Sequence, residues 1–188
     1  VAVPYLPAFT IVLARVGLGA LVLALMLMVM RVPFPKGREV WIALAVMGLL
    51  NNVVPFSLFV VAQGQITSGL ASILNATTPL WSVVVAHFAT RDERMTSAKA
   101  LGVVIGFSGV AMMMGAGLGD GTVWAQAACL AAAISYAFST VWGRRFRTMG
   151  ISPLSTAFGQ VTMSSLMLLP LVIFVDQPWT LPMPSGTV

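Results

Sequence analysis

Charge is what this chain of 188 residues has least of: 8% of its positions are charged, where soluble domains carry about 25%. Cysteine and histidine occur once each, as Cys129 and His87. One cysteine excludes an internal disulfide, and the two residues together are too few for a Cys- or His-based metal site. No metal and no cofactor is therefore expected, and redox or zinc chemistry has no ligands to work with. Acids are also scarce: Glu39, Asp92, Glu93, Asp120 and Asp176 all fall in loops or at the ends of hydrophobic runs. A mid-membrane carboxylate of the kind proton carriers commonly use is thus missing. The first hydrophobic run is too long for a signal peptide and has no basic flank before it.

Hydrophobic residues make up 59% of the chain and the mean hydropathy is +0.96. A helical membrane crossing needs about 20 apolar residues, and the chain supplies that length repeatedly. The runs do not alternate as barrel strands would. They imply an all-α integral membrane protein with six transmembrane helices, at residues 8–30, 40–62, 69–88, 97–115, 123–142 and 153–175. Basic residues sort to alternate loops: Arg31, Lys36 and Arg38 after the first span, Arg91, Arg94 and Lys99 after the third, Arg144, Arg145 and Arg147 after the fifth. Nine of the ten basic residues then share one face, which the positive-inside rule makes cytoplasmic. Both ends of the chain are expected to face outward. The pI near 10.4 follows from this topology, so nucleic-acid binding is not expected.

The first span, from Pro7, and the sixth, from Pro153, align weakly at an offset of 146 residues. Five spans separating equivalent points would turn the second copy upside down, and inverted repeats are common in secondary transporters. The chain then reads as a piece of a ten-helix protein.

Polar groups inside the spans are the candidates for function. In the third span, Ser72, Asn75, Thr78, Pro79, Ser82 and Ala86 follow helical steps of three and four along one stripe. Pro79 has no amide to offer the carbonyl of Asn75, which is expected to stay open at that depth. The second span repeats the theme with Asn51, Asn52 and Pro55 near its midpoint, and Gln63 further along the same face. An amide and a proline in each of two adjacent spans, at similar depth, suggest a cavity-lining pair of helices. The alternative is helix packing, since small polar groups hold membrane helices together at about 0.6–2 kcal/mol each.

Arg15 is a basic residue well inside a span, where a fixed cation suits a ligand carboxylate or phosphate; otherwise it snorkels or pairs with a neighbour. His87, at the cytoplasmic end of the third span, is an interface residue or a proton carrier. Gln126, Tyr136 and Gln160 are weaker candidates because nothing clusters with them. In the fourth span, Ala98, Gly102 and Gly106 form a small-x-x-x-small pattern that favours close helix approach, and Thr96 or Ser97 is expected to cap it. The twelve methionines read as packing or lipid-facing residues.

The stretch "SGLASILNATTPLWSVVVAHFATRDERMTSAKALGVVIGFSGVAMM" has an N-A-x-x-P span, a short charged loop and a span of the form G-x-x-x-G-x-x-G-V. It resembles the EamA-type transporters of the drug/metabolite transporter superfamily, and "ARVGLGAL" is similar to their second helix. The resemblance implies ten helices in two inverted five-helix repeats, and an inner (plasma) membrane carrier of small metabolites or drugs, exporting or exchanging by alternating access. Residues 1–115 would be helices two to five of the first repeat and residues 116–188 the start of the second. The partners implied are a small-molecule substrate and the bilayer. A non-transporting scaffold or channel subunit is the second reading and an intramembrane lipid-modifying enzyme the third. The enzyme reading wants paired acids, a His cluster or a nucleophile with its base.

Overall fold

The computed structural model describes residues 7–62, 64–90, 93–115 and 122–180. It forms helices α1 (Ala8–Val29), α2 (Arg38–Ala62), α3 (Ser68–Ala89), α4 (Ser97–Gly115), α5 (Thr122–Thr148) and α6 (Pro153–Asp176), with a final 3₁₀ turn at Pro178–Thr180. Five of these are long and apolar enough to cross a membrane, and α4 falls just short over Ser97–Met113. The chain is an all-α membrane protein.

Helix ends follow local chemistry. Thr67 caps α3 by accepting the Leu70 amide at 3.3 Å, Thr96 caps α4 through the Lys99 amide at 3.4 Å, and Ser152 caps α6 through the Ser155 amide at 3.1 Å. α5 runs six residues past the expected end at position 142, because the arginines after it are good helix formers. It stops where Gly150 takes φ of +69°, a left-handed conformation that glycine adopts without strain.

The helices group into two compact units, one made of α1, α2 as far as Leu49, and α6, the other of Leu50–Gly150. In the first unit α6 packs along α1 and the first half of α2. Its interior is built from small residues: Ala43, Gly48, Ser155, Gly159 and Ser164 are buried with Leu44 and Leu168. Leu18, Leu21, Leu25 and Val29, on one stripe of α1, are more than half exposed. This arrangement suits lipid, which solvates large apolar side chains and leaves packing to small ones.

Asp176, read from the sequence as a loop acid, has a definite task. Its Oδ2 accepts from the Thr10 amide at 2.6 Å and the Thr10 hydroxyl at 2.8 Å. A carboxylate thereby satisfies an orphan amide in the first turn of α1 and complements its dipole. Asp176→Ala is expected to lower stability by about 1 kcal/mol, measured by thermal unfolding in detergent.

In the second unit α5 is central. Ala125, Ala128, Ala132, Ala133 and Ala137 are buried with Cys129, Ser135 and Ser139, so α3 and the second half of α2 approach it closely. α4 is held more lightly. Gly106 meets Leu80 and Phe107 stacks edge-on against Trp81 at 4.7 Å, but Gly102 and Gly109 meet nothing. The expected glycine stripe is therefore a single contact point in this unit.

Candidate functional site

α3 is broken in its middle. The first half ends at Asn75, Ala76 and Thr77 form a turn, and the second half starts at Thr78 with Pro79 in its first turn. Proline at that position needs no amide partner and is pre-set for a helix start. Sequence alone left the Asn75 carbonyl open, and the structure corrects this: the Thr78 hydroxyl donates to it at 2.7 Å. The Thr77 hydroxyl does the same for Leu74 at 2.6 Å and is buried. The Thr78 hydroxyl thus replaces the backbone bond that Pro79 removes, while the Leu74 carbonyl also accepts the Thr77 amide at 3.2 Å. Pro79 itself is exposed and Asn75 half-buried.

What the break leaves unmet is a side chain. Asn75 Oδ1 is buried with no hydrogen-bond partner, as is Trp81 Nε1. Gln126 on α5 is completely buried, and neither Oε1 nor Nε2 is bonded. An unmet amide in an apolar interior costs on the order of 2–7 kcal/mol, so these atoms mark where a solute or water is wanted. Gln126 lacked sequence neighbours to cluster with.

α2 solves the same problem differently. Leu49–Val53 forms a π-helical turn, and Asn52, Val53 and Pro55 are buried there. In this wider register the carbonyl of Leu50 stands opposite Pro55, which has no amide to give. The Ser135 hydroxyl of α5 supplies the bond at 2.7 Å, and Ser139, one turn on, donates to Asn51 Oδ1 at 3.1 Å. The amide and proline of α2 are thus fastened to α5. α2 and α3 each pack on α5. Two serines four residues apart were the sequence signal for this contact. Ser135→Ala is expected to cost about 1–3 kcal/mol, because it leaves a part-buried carbonyl without its partner. Ser139→Ala should cost less, its hydroxyl also bonding back to Tyr136; chemical unfolding of the two variants compares them.

Ser82 and Ala86 of the α3 stripe open on a cleft of about 130 Å³, walled across by Thr140, Val141 and Arg144 of α5. Lys99 and Glu93 complete it, and Glu93 pairs with Arg144. His87 lies close to this end of α3. Its Nδ1 accepts the Met95 amide at 3.0 Å and so ties down the loop before α4. Arg15 lies exposed on α1 in the first unit, and Gln63 is outside the described residues.

The model of the EamA-like transporter family matches residues 1–115. The chain is 27% identical over 144 residues to the "Uncharacterized inner membrane transporter YedA" of Escherichia coli (strain K12), covering 76% of this chain and 46% of that protein. It is 25% identical over 133 residues to the "Uncharacterized transporter YoaV" of Bacillus subtilis (strain 168), covering 69% of this chain and 45% of that one. The chain thus spans about half the length of the curated relatives it matches. No solved structure gives a significant match.

Proposed function

Since the chain belongs to the EamA-like transporter family, we propose that it is the larger part of one half, and the start of the other, of a secondary carrier. The carrier moves small polar or amphipathic metabolites across the inner membrane by alternating access, as an exporter or exchanger. In this reading residues 1–115 supply helices two to five of the first repeat and residues 116–188 begin the second. The packing of α1 along α6, the helices that align as repeat counterparts, supports it. The basic loops face the cytoplasm and both ends of the chain face outward, which labelling of cysteines introduced into either set of loops checks.

The observation that carries the proposal is the broken α3 with Asn75 Oδ1 buried and unbonded beside the break. Discontinuous helices are how carriers present polar groups at mid-membrane. Thr78, Pro79 and Ser82 shape that wall, and the Leu50 carbonyl and Asn51, in the turn that also buries Asn52 and Pro55, hold α2 against α5 behind it. Arg15 and Gln63 remain candidates for the solute's other contacts.

Counterflow of radiolabelled solutes into proteoliposomes of the full-length protein is the test. A carrier accelerates uptake when unlabelled solute is loaded on the far side. Uptake without such acceleration belongs to a channel, and a chemically altered solute to an enzyme; either result sinks the carrier reading.

A further inference from the structure

Gln126 is the most exceptional residue in the interior: nothing of it is exposed, and no polar atom of its amide is bonded. Where it faces can be worked out from the cleft, which sets Thr140, Val141 and Arg144 of α5 against Ser82, Val83 and Ala86 of α3. From Arg144, steps of three and four along α5 run through Val141, Ala137, Ala133 and Leu130 to Gln126. The same stepping on α3 runs from Ala86 through Ser82 and Thr78 to Asn75. Across the break the two helices stay together, since Leu74 packs in one cluster with Ala125, Ala128 and Cys129, the residues around Gln126. Gln126 and Asn75 therefore border one seam, which leads to the cleft.

The seam carries no charge until it reaches the cleft. Between Leu50 and Ala62, Ser68 and Ala86, and Thr122 and Gly143, the sequence has no Asp, Glu, Lys, Arg or His. Asn75 Oδ1 asks for a donor, and the Gln126 amide for a donor and an acceptor. An ion brought here would find no counter-charge, whereas a neutral group with two donors and an acceptor would satisfy these three atoms.

We propose that the seam between α3 and α5 is the solute path of this unit, with Gln126 as a second solute ligand beside Asn75. The group they hold is uncharged and both donates and accepts, as a carboxamide does with its two N–H donors and its carbonyl. This rests on the carrier reading.

The test uses the full-length protein with Cys129→Ser and one new cysteine, Gln126→Cys or Asn75→Cys, with Ala132→Cys as a buried control. A neutral methanethiosulfonate is expected to label both sites more than about tenfold faster than the control, and faster than cationic or anionic methanethiosulfonates. Equal rates at Gln126→Cys and Ala132→Cys, or preference for a charged reagent, overturn the proposal. Gln126→Met keeps it testable if the cysteine variants do not fold. Removing an unmet amide should shift the unfolding temperature up by about 2–4 °C while counterflow falls; a drop in that temperature means that Gln126 is structural. Wild-type counterflow separates the failures: with it intact, an unreactive Gln126→Cys sinks the seam alone, and its absence sinks the carrier reading.

Discussion

Asn75→Ala in the full-length protein is expected to cut counterflow at least tenfold, a loss of about 1.4 kcal/mol of stabilisation along the transport cycle, with the amount of protein in the membrane unchanged. The asymmetry follows from the bonding around the break. Asn75 Oδ1 bonds nothing within the protein, so removing it sacrifices no structural contact. Thr77 is the opposite case: buried, with its hydroxyl donating to the Leu74 carbonyl at 2.6 Å. Thr77→Val should therefore lower stability by about 0.5–1.5 kcal/mol and reduce flux only in proportion to the folded protein that remains. Flux normalised to folded protein, measured side by side for the two variants, distinguishes a solute ligand from a helix-end fastening. Normal flux in Asn75→Ala would remove Asn75 from the path.

The same contrast shows what could be read from the sequence. Helix positions were legible because hydropathy sums over some 20 residues, about one bilayer crossing; α1, α4 and α6 begin and end within a residue or so of expectation. The break in α3 was legible because proline acts locally on its own turn. How each break is repaired was not. Thr78 closes the Asn75 carbonyl through a side-chain rotamer, and Ser135 closes the Leu50 carbonyl from 85 residues away. Gln126 could be seen as a polar residue in an apolar run, but its isolation in the sequence hid that α3 packs on α5 there, Leu74 sharing a cluster with Ala125, Ala128 and Cys129. Asp176 likewise looked like a loop acid, since its partner Thr10 lies 166 residues earlier. Periodicity reports which face is polar; which groups stay unbonded depends on contacts it does not contain.

Close approach of α2 and α6 in the first unit makes Gly48→Ala strongly destabilising. A Cβ on Gly48 would stand 2.7 Å from the Gln160 carbonyl oxygen and 2.8 Å from Ser164 Oγ. The serine can be trimmed, but the carbonyl belongs to the backbone of α6 and cannot turn aside. Gly48→Ala must therefore push the helices apart, and Ser164, which now donates to the Gly48 carbonyl at 3.2 Å, loses that bond. Overpacking of this kind costs about 1–3 kcal/mol. Gly159 is tight for a different reason: its Cβ would collide with the Leu44 methyls, the flexible end of a side chain. Gly159→Ala is expected to destabilise alone and to recover most of the loss with Leu44→Val, which removes about the volume that the new methyl adds. Gly48→Ala should not recover with Ser164→Ala, because the carbonyl obstacle stays. Thermal unfolding of the four variants in detergent decides it. Rescue of Gly48→Ala by Ser164→Ala would mean that the helices are held apart by side chains and not by their backbones.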